Sequence, residues 1–551
     1  MTKMKSYKFI RTLGVMTLAA LTAVSCDDYL DKNPDNRAEI DTEDKVVSLL
    51  GSAYPSNGYS VMAECMSDNV DDMAGDIRYL KYDARFYNQA FYWKTITETD
   101  NDGAEFFWSS YYAAVANANQ ALASIEEMGG ATTLKMKEAK AEALLCRAYG
   151  LFVLANMFCQ AYDSQNAAND LGLPYPTEPE TTLESLSDRG TLADLYAKID
   201  KDIQEALPYI NDTHYTQPKY HFNRQAAFAF AARFYLYYEQ WDKVVEYANE
   251  AIGSNPKSLL RNWVEMESYG ITDDLDPRTQ LYVKSGNNCN FLLIPTYSYV
   301  GYFQSNYSYV TRYSHNEYIS NNETLDVAYP FWTKLRCPSL SFIGGAMNRV
   351  LVAKLPKLFE MTDIVSQTGY FHSVEVPFKA DALLLERAEA YVLLKQYDKA
   401  LADLQMWMEN YAVGVPTLTV DMIKEYYSGL KYYEPFKPTP RKRLNPRFAI
   451  DEEGSVQECM LQCVLNMKRI ENIHEGMRWF DIKRYGIVIP RRMMNSDCEV
   501  QEVVDSLVVR DQRCALQIPP KVLGSGFQAN PRTSKDESAS MEKLSLGLSV
   551  K

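Results

Sequence analysis

Apolar residues recur at three- and four-residue steps over several stretches of the chain, the spacing of one face of an α-helix. Trp108, Tyr111, Val115, Ala118, Leu122 and Ile125 predict a helix over 106–128. Ala141, Leu144, Leu145, Ala148, Phe152, Ala155 and Phe158 predict a second over 137–159. Gly172-Leu173-Pro174 stops helix, and a third runs from Thr191 through Tyr196, Ile199, Ile203 and Leu207 to Pro208. A short helix fits 43–50, inside the polar, turn-rich stretch 27–60.

Two later segments repeat each other. Ala231-Ala232-Arg233-Phe234-Tyr235-Leu236 followed by Gln240-Trp241-Asp242-Lys243-Val244 parallels Leu385-Glu386-Arg387-Ala388-Glu389-Ala390-Tyr391 followed by Gln396-Tyr397-Asp398-Lys399-Ala400. Each reads as a helix, a tight turn and a second helix, with small alanines permitting close approach and the aromatic plugging the gap between the pair. Such hairpins bury their faces only by stacking on neighbours. Pairs near 106–159, 191–254, 379–412 and 455–485 predict a mainly α fold: a right-handed array of about four tetratricopeptide-like helix pairs.

Helical period is lost from 263 to 376, where Gly, Asn, Ser and Tyr accumulate and short runs such as 290–297 alternate or are wholly apolar. In a repeat protein a long, partly β insertion of this kind lies over one face and carries binding. The expected organisation is a signal segment 1–25, then a single domain 26–551: a helical part 27–262, the Tyr-rich insertion 263–376, further helix pairs and a closing segment 377–531, and a loose tail 532–551. A Pro-rich stretch, 413–450, reads as irregular. Its basic residues Lys437, Arg441, Lys442, Arg443 and Arg447 read as a solvated loop.

Residues 466–486, NMKRIENIHEGMRWFDIKRYG, combine an apolar stripe (Met467, Ile470, Ile473, Met477) with charges on the other faces. Gly476 interrupts the pattern before Trp479-Phe480, rings that require a packing partner. Asp481 lies three residues from both Arg478 and Arg484, in helical ion-pair range of each. The expectation is core packing dressed with surface salt bridges, not a catalytic centre.

The N-terminus carries Lys3, Lys5, Lys8 and Arg11, an apolar run from Leu13 to Val24, then Ala23-Val24-Ser25-Cys26. That is a secretory signal, too short for a membrane span, and a cysteine after small residues looks like a lipidation site, with plain cleavage the alternative. Net charge is −15, and −19 once the four basic residues of 1–25 are removed, which argues against a nucleic-acid partner. Beyond Cys26 nine cysteines remain, with no C-x-x-C pair, so neither a full disulfide framework nor a zinc site from Cys459, Cys463 and His474 is expected. No phosphate-binding Gly loop, zincin motif or G-x-S-x-G elbow occurs, and the five histidines have no metal spacing. No enzyme activity, cofactor or metal is expected.

Tyrosine stands out. Between 297 and 318 there are seven, with Phe303, Asn306, Arg312, His315 and Asn316 among them, and Tyr329, Phe331 and Trp332 follow. Rigid rings with one polar tip suit the apolar C–H faces and hydroxyls of sugars; the same residues can also simply pack a strand face. Tyr297, Tyr299, Tyr313 and Trp332 are therefore candidate ligand contacts. Upstream, Asp72 and Arg78, near Asp68 and Asp71, can supply hydroxyl-binding groups or form a solvated acidic loop.

The 475–484 stretch, E-G-x-R-W-F-D-I-K-R, resembles a signature near the C-terminus of the SusD/RagB family of outer-membrane nutrient-binding lipoproteins. Other stretches resemble the family in order: Trp108-x3-Tyr112-x2-Val115-x3-Asn119, Glu142 with Arg147-Ala148, Gly172-Leu173-Pro174, the 191–207 helix, Leu516-Gln517-Ile518-Pro519-Pro520 with Asn530-Pro531, and Cys26-Asp27-Asp28-Tyr29-Leu30 at the mature start. The central insertion matches no family motif. The resemblance implies a surface-exposed protein, anchored in the outer membrane through lipidated Cys26, that captures oligosaccharide without chemistry and delivers it to a SusC-like TonB-dependent transporter. It also implies aromatic and amide contacts just before the first array helix, which points to Trp93 and Asn101. Peptide capture on the same architecture, or a helical-repeat adaptor that binds only protein, are the rival readings.

Overall fold

The computed structural model describes residues 40–73, 84–99, 101–179, 188–269, 276–304, 312–337, 339–344 and 347–532. Arg78, Tyr307, Tyr309, the 1–25 signal segment with Cys26, and nearly all of the expected tail lie outside them. The chain divides into two units, 1–45 and 46–551, and the fold is that of the second.

The helices follow the apolar periods. Those that build the array and its flanks are, in chain order, α1 (Ser60–Met66), α2 (Ala84–Phe91), α3 (Ala104–Glu127), α4 (Leu134–Phe158), α5 (Leu192–Ala206), α6 (Arg224–Tyr237), α7 (Trp241–Ile252), α8 (Ala380–Leu393), α9 (Tyr397–Tyr411), α10 (Val420–Gly429), α11 (Val456–Glu471) and α12 (Met477–Tyr485), with shorter helices beside them. Several starts are set by capping side chains: Thr191, Asn223 and Ser455 each accept a hydrogen bond from the backbone N–H three residues on. Helices α3 and α4, α6 and α7, and α8 and α9 pack as hairpins, α5 lies against α4, and α11 packs on α8 and α10. The two repeated hairpins turn alike: Glu239 and Lys395, at equivalent positions, hold φ of +61° and +58°, a left-handed bend that lets the next helix double back. The aromatics before the bends, Phe234 and Tyr235 in one hairpin and Tyr391 in the other, are buried, as expected of rings that fill the gap between paired helices. Trp241 is half-buried and packs on Phe448, 5.2 Å between ring centres.

The strands are β1 (Asp71–Asp72), β2 (Asn290–Thr296), β3 (Tyr313–Ser314), β4 (Leu358–Asp363), β5 (Thr368–Lys379), β6 (Ile489–Met494) and β7 (Val500–Leu507), with small two-stranded pairs beside them. One sheet runs β2-β5-β4. The other, β7-β6-β1-β3, ties the N-terminal part, the insertion and the C-terminal part together. The β6–β7 hairpin was not foreseen, and neither was α10, which buries Ile423 and Tyr427 within the stretch read as irregular.

The largest departure concerns residues 466–486. Lys468, Arg469, Glu471, Glu475, Arg478, Asp481 and Arg484 are all buried. At ~100° per residue, Lys468, Arg469 and Glu471 leave α11 in three directions, and each enters its own ionic cluster. Lys468 bonds Glu389 and Asp481, both at 2.7 Å. Arg484 reaches the same two carboxylates at 2.9 and 3.3 Å, and the Tyr485 hydroxyl donates to Glu389. Arg469 joins Glu323 and the Asp68 carbonyl, at 3.1 and 2.6 Å. Glu471 pairs with Lys379 at 3.0 Å and accepts from the Trp407 indole. Arg478 does not pair with Asp481; it holds Asp68 in a fork at 2.8 and 2.9 Å. Lys442, read as a loop cation, is also buried, bonded to Glu323 at 2.6 Å, and Arg441 is buried against Glu458. Burial alone would expel these charges; the opposing cations hold the Glu323 and Glu475 carboxyls down at about 2 despite it. Gly476, at φ +76°, has Ser60 and Ala63 within 3.0 Å of where a Cβ would stand, so only glycine fits between α11 and α12.

All nine described cysteines are free and buried. The buried Glu375 is different from the clustered acids. Its Oε1 has no hydrogen-bond partner and lies against Gly58, where a Cβ would come within 1.9 Å. Burial, with the charges of Asp102 and Glu475, pushes its carboxyl up to about 8.

Two outcomes are expected. Glu389→Ala leaves Lys468 and Arg484 sharing one carboxylate and should cost about 3–5 kcal/mol in denaturant unfolding. Because the folded protein favours the neutral Glu375, stability tied to this group is full below pH ~4.5 and falls as pH rises to about 8, by up to ~1.4 kcal/mol per pH unit. Glu375→Gln should flatten that limb; equal slopes for both proteins between pH 5 and 8 would contradict the assignment.

Candidate functional site

The candidate residues fall in three places. At the first, β1 and β3 pair with Asp72 opposite Tyr313. The adjacent Arg312 grips Asp72 with a fork at 2.7 and 2.9 Å, and the Tyr92 hydroxyl donates to it at 3.0 Å. Burial, then the Asp72 charge, pushes the Tyr92 hydroxyl upward, so it stays a donor. Tyr313 packs on Phe91 and its hydroxyl accepts from Asn88 at 2.8 Å. Asp72 and Tyr313 are therefore brought together, but both are buried and saturated by protein partners. Neither offers a free face to a ligand.

Trp93 is beside them and is 1% exposed. Its indole N–H donates to the Met66 carbonyl at 2.9 Å, and its ring covers the Arg491 guanidinium, 3.9 Å away. Arg491 in turn donates to the carbonyls of Cys65, Met66 and Ser67, closing the C-terminal end of α1. Trp93 is thus a lid on a buried cation, held at φ +53°, and not a sugar platform.

At the second place, Tyr297 and Tyr299 leave the end of β2. Tyr297 is 37% exposed and meets Tyr370 edge-on at 5.6 Å. Tyr299 is half-buried against Phe371. Asp102 accepts from the Ser298 hydroxyl and the Tyr299 N–H, at 2.6 and 2.7 Å, which sets its half-buried neighbour Asn101 near this turn. Tyr297 and Tyr370 are the exposed members of this aromatic group.

The third place is concave. Trp332 lies on the wall of an open cavity of about 840 Å³, within the size range of small-ligand sites. One side is the helix Trp263–Ser268 and Tyr269; the other is the 325–339 segment, held by pairing of Lys334–Leu335 with Ala412–Val413. Trp332 rests on Tyr329, ring centres 4.8 Å apart, and is itself buried, whereas Tyr269 is 41% exposed. Glu267 accepts from Lys334 at 2.7 Å and Arg336 at 3.2 Å, and the Lys334 hydrogen bond chiefly holds its carboxyl low. Asp326 faces the same space and takes the Ser320 hydroxyl. Aromatic side chains among paired donors and acceptors can hold a polyhydroxylated ligand by ring contacts and neutral hydrogen bonds. Among the described residues no group of three or more His, Cys, Asp or Glu is arranged to hold a metal.

Tyr269, Glu267, Lys334 and Arg336 were missed. Glu267 and its cations are some 67 residues apart in sequence, and nothing local in either stretch announces the other.

Helical hairpins carry a ligand-sized recess on a partly β insertion. The fold is that of SusD-like proteins. Residues 28–236 match the SusD-like family model described as starch-binding and associating with the outer membrane. The fold is similar to that of a SusD superfamily protein from Bacteroides thetaiotaomicron (TM-score 0.63, 17% identity, 89% of this chain and 100% of that one). It is similar also to a SusD superfamily protein (0.59, 18%, 90% and 99%) and a SusD-like carbohydrate binding protein (0.53, 15%, 90% and 98%), both from Bacteroides vulgatus. No curated protein matches.

Trp93→Ala is expected to lower stability by about 3–5 kcal/mol in chemical unfolding, as core Trp truncations do. A ligand-binding loss without a stability loss would return Trp93 to the site.

Proposed function

We propose that the protein captures an oligosaccharide and passes it to a SusC-like TonB-dependent transporter, while anchored in the outer membrane through lipidated Cys26 and facing outward. The observation that carries the binding half is the 840 Å³ cavity beside Trp332 and Tyr269, aromatic at its edges and lined by Glu267, Lys334, Arg336 and Asp326. The family description and the carbohydrate-binding relative support the ligand class. Binding is reversible and proceeds without a covalent step. Each stacked ring or neutral hydrogen bond contributes only ~1 kcal/mol net, so affinity is modest and several contacts share it.

The charged lining also fits a peptide, whose termini and backbone would meet Lys334, Arg336 and Glu267. Titration calorimetry against a panel of oligosaccharides and a peptide mixture separates the two. Heat with an oligosaccharide is expected, and Tyr269→Ala or Arg336→Ala should weaken it about five- to tenfold with an unchanged melting temperature, since both side chains are partly exposed. Heat with peptides alone would overturn the glycan reading.

A further inference from the structure

The ion pairs at the recess beside Trp332 share one anchor. Lys334 and Arg336 are two residues apart on a short extended segment, so both side chains leave the same face of it. Glu267 reaches both, at 2.7 and 3.2 Å. Tyr411, at the end of α9, fixes the two walls that carry them. Its carbonyl accepts from the Arg336 N–H at 2.8 Å. Its ring meets the buried Trp263 edge-on, 4.7 Å between centres, which seats the helix bearing Glu267. The trio is therefore a preset feature of the fold and not a chance meeting of long side chains.

A guanidinium beside an ammonium is the set that takes a carboxylate or a sulfate from solution. Here a carboxylate of the chain already occupies it. Asp326 lines the same space, so the four charged groups of the described lining, Glu267, Asp326, Lys334 and Arg336, sum to zero. An acidic sugar that opened the Glu267 bonds would not remove Glu267, whose carboxylate stays beside it on a seated helix. It would also approach a chain of net charge −15. A neutral sugar meets neither penalty, and its hydroxyls can accept from the Lys334 and Arg336 N–H groups that Glu267 leaves over. We propose that Glu267 is a specificity-determining residue: by occupying Lys334 and Arg336 it admits uncharged oligosaccharides and turns away those carrying uronate or sulfate groups. The inference rests on the glycan reading above.

Titration calorimetry on the wild type and Glu267→Gln tests it, with neutral gluco-, manno- and xylo-oligosaccharides beside oligogalacturonate and a sulfated heparin fragment of similar length. The wild type is expected to give heat with a neutral oligosaccharide and to bind the acidic ones at least about tenfold more weakly. Glu267→Gln keeps the size of the side chain and removes its charge. It should raise the ratio of acidic to neutral affinity about fivefold or more, a gain that shrinks between about 0.05 and 0.5 M salt. Lys334→Ala in the Glu267→Gln background should cancel that gain. Acidic sugars bound by the wild type at least as tightly as neutral ones, no rise in the ratio for Glu267→Gln, or a rise that survives Lys334→Ala would overturn the inference and leave the glycan reading standing. No heat from the wild type with any oligosaccharide would remove both.

Discussion

Three buried charges on one turn of α11 hold the structure in register. Lys468, Arg469 and Glu471 each reach a different cluster, and each cluster contains residues distant in sequence: Glu389 and Asp481, Glu323 and Asp68, Lys379 with Trp407. An ion removed from water is tolerated only where its partners are in place, because one left unpaired costs far more than an apolar mismatch. The clusters therefore contribute little net stability relative to well-packed apolar residues, yet they admit a single arrangement of the chain. Hydrophobic hairpins can slide against one another with modest loss. A network joining α11 to α8, to the insertion and to the 64–72 segment cannot.

The same constraint explains which candidate side chains are engaged by the protein and which are left open. Around Asp72 the side chains that suit a sugar site are consumed in fastening the insertion: Arg312 and Tyr92 saturate Asp72, and Trp93 shields Arg491. The cavity beside Trp332 differs because its ion pairs are at the surface. Glu267 and Lys334 keep 29 and 63% of their side chains exposed, so their hydrogen bonds exchange with water or hydroxyls at small cost.

The helical hairpins were legible because apolar period, capping residues and the repeated Gln-aromatic-Asp-Lys turn all act within a dozen residues. Helix α10 was not, since proline on both sides of it masked a period only ten residues long, and β6–β7 was not, since its partner β1 is two residues long and more than 400 positions away. The candidate site was legible only in its aromatic content. Trp332 was singled out by residue type and lines the recess; that Trp93 is covered and Tyr269 uncovered depends on which segment passes over each.

By itself, then, the sequence determined a mainly helical repeat protein with a Tyr-rich insertion, an acidic surface and no catalytic or metal motif, because those properties are written in local periods and composition. Tertiary structure alone decided that the charges of 466–486 are buried and not solvated, that Arg478 chooses Asp68 over Asp481, and that the concave site lies between Tyr269 and Arg336. The physical reason is the same in each case. A charge or a ring has no fate of its own in sequence: burial of the one needs a partner, exposure of the other needs an absence of neighbours, and both are supplied by distant parts of the chain.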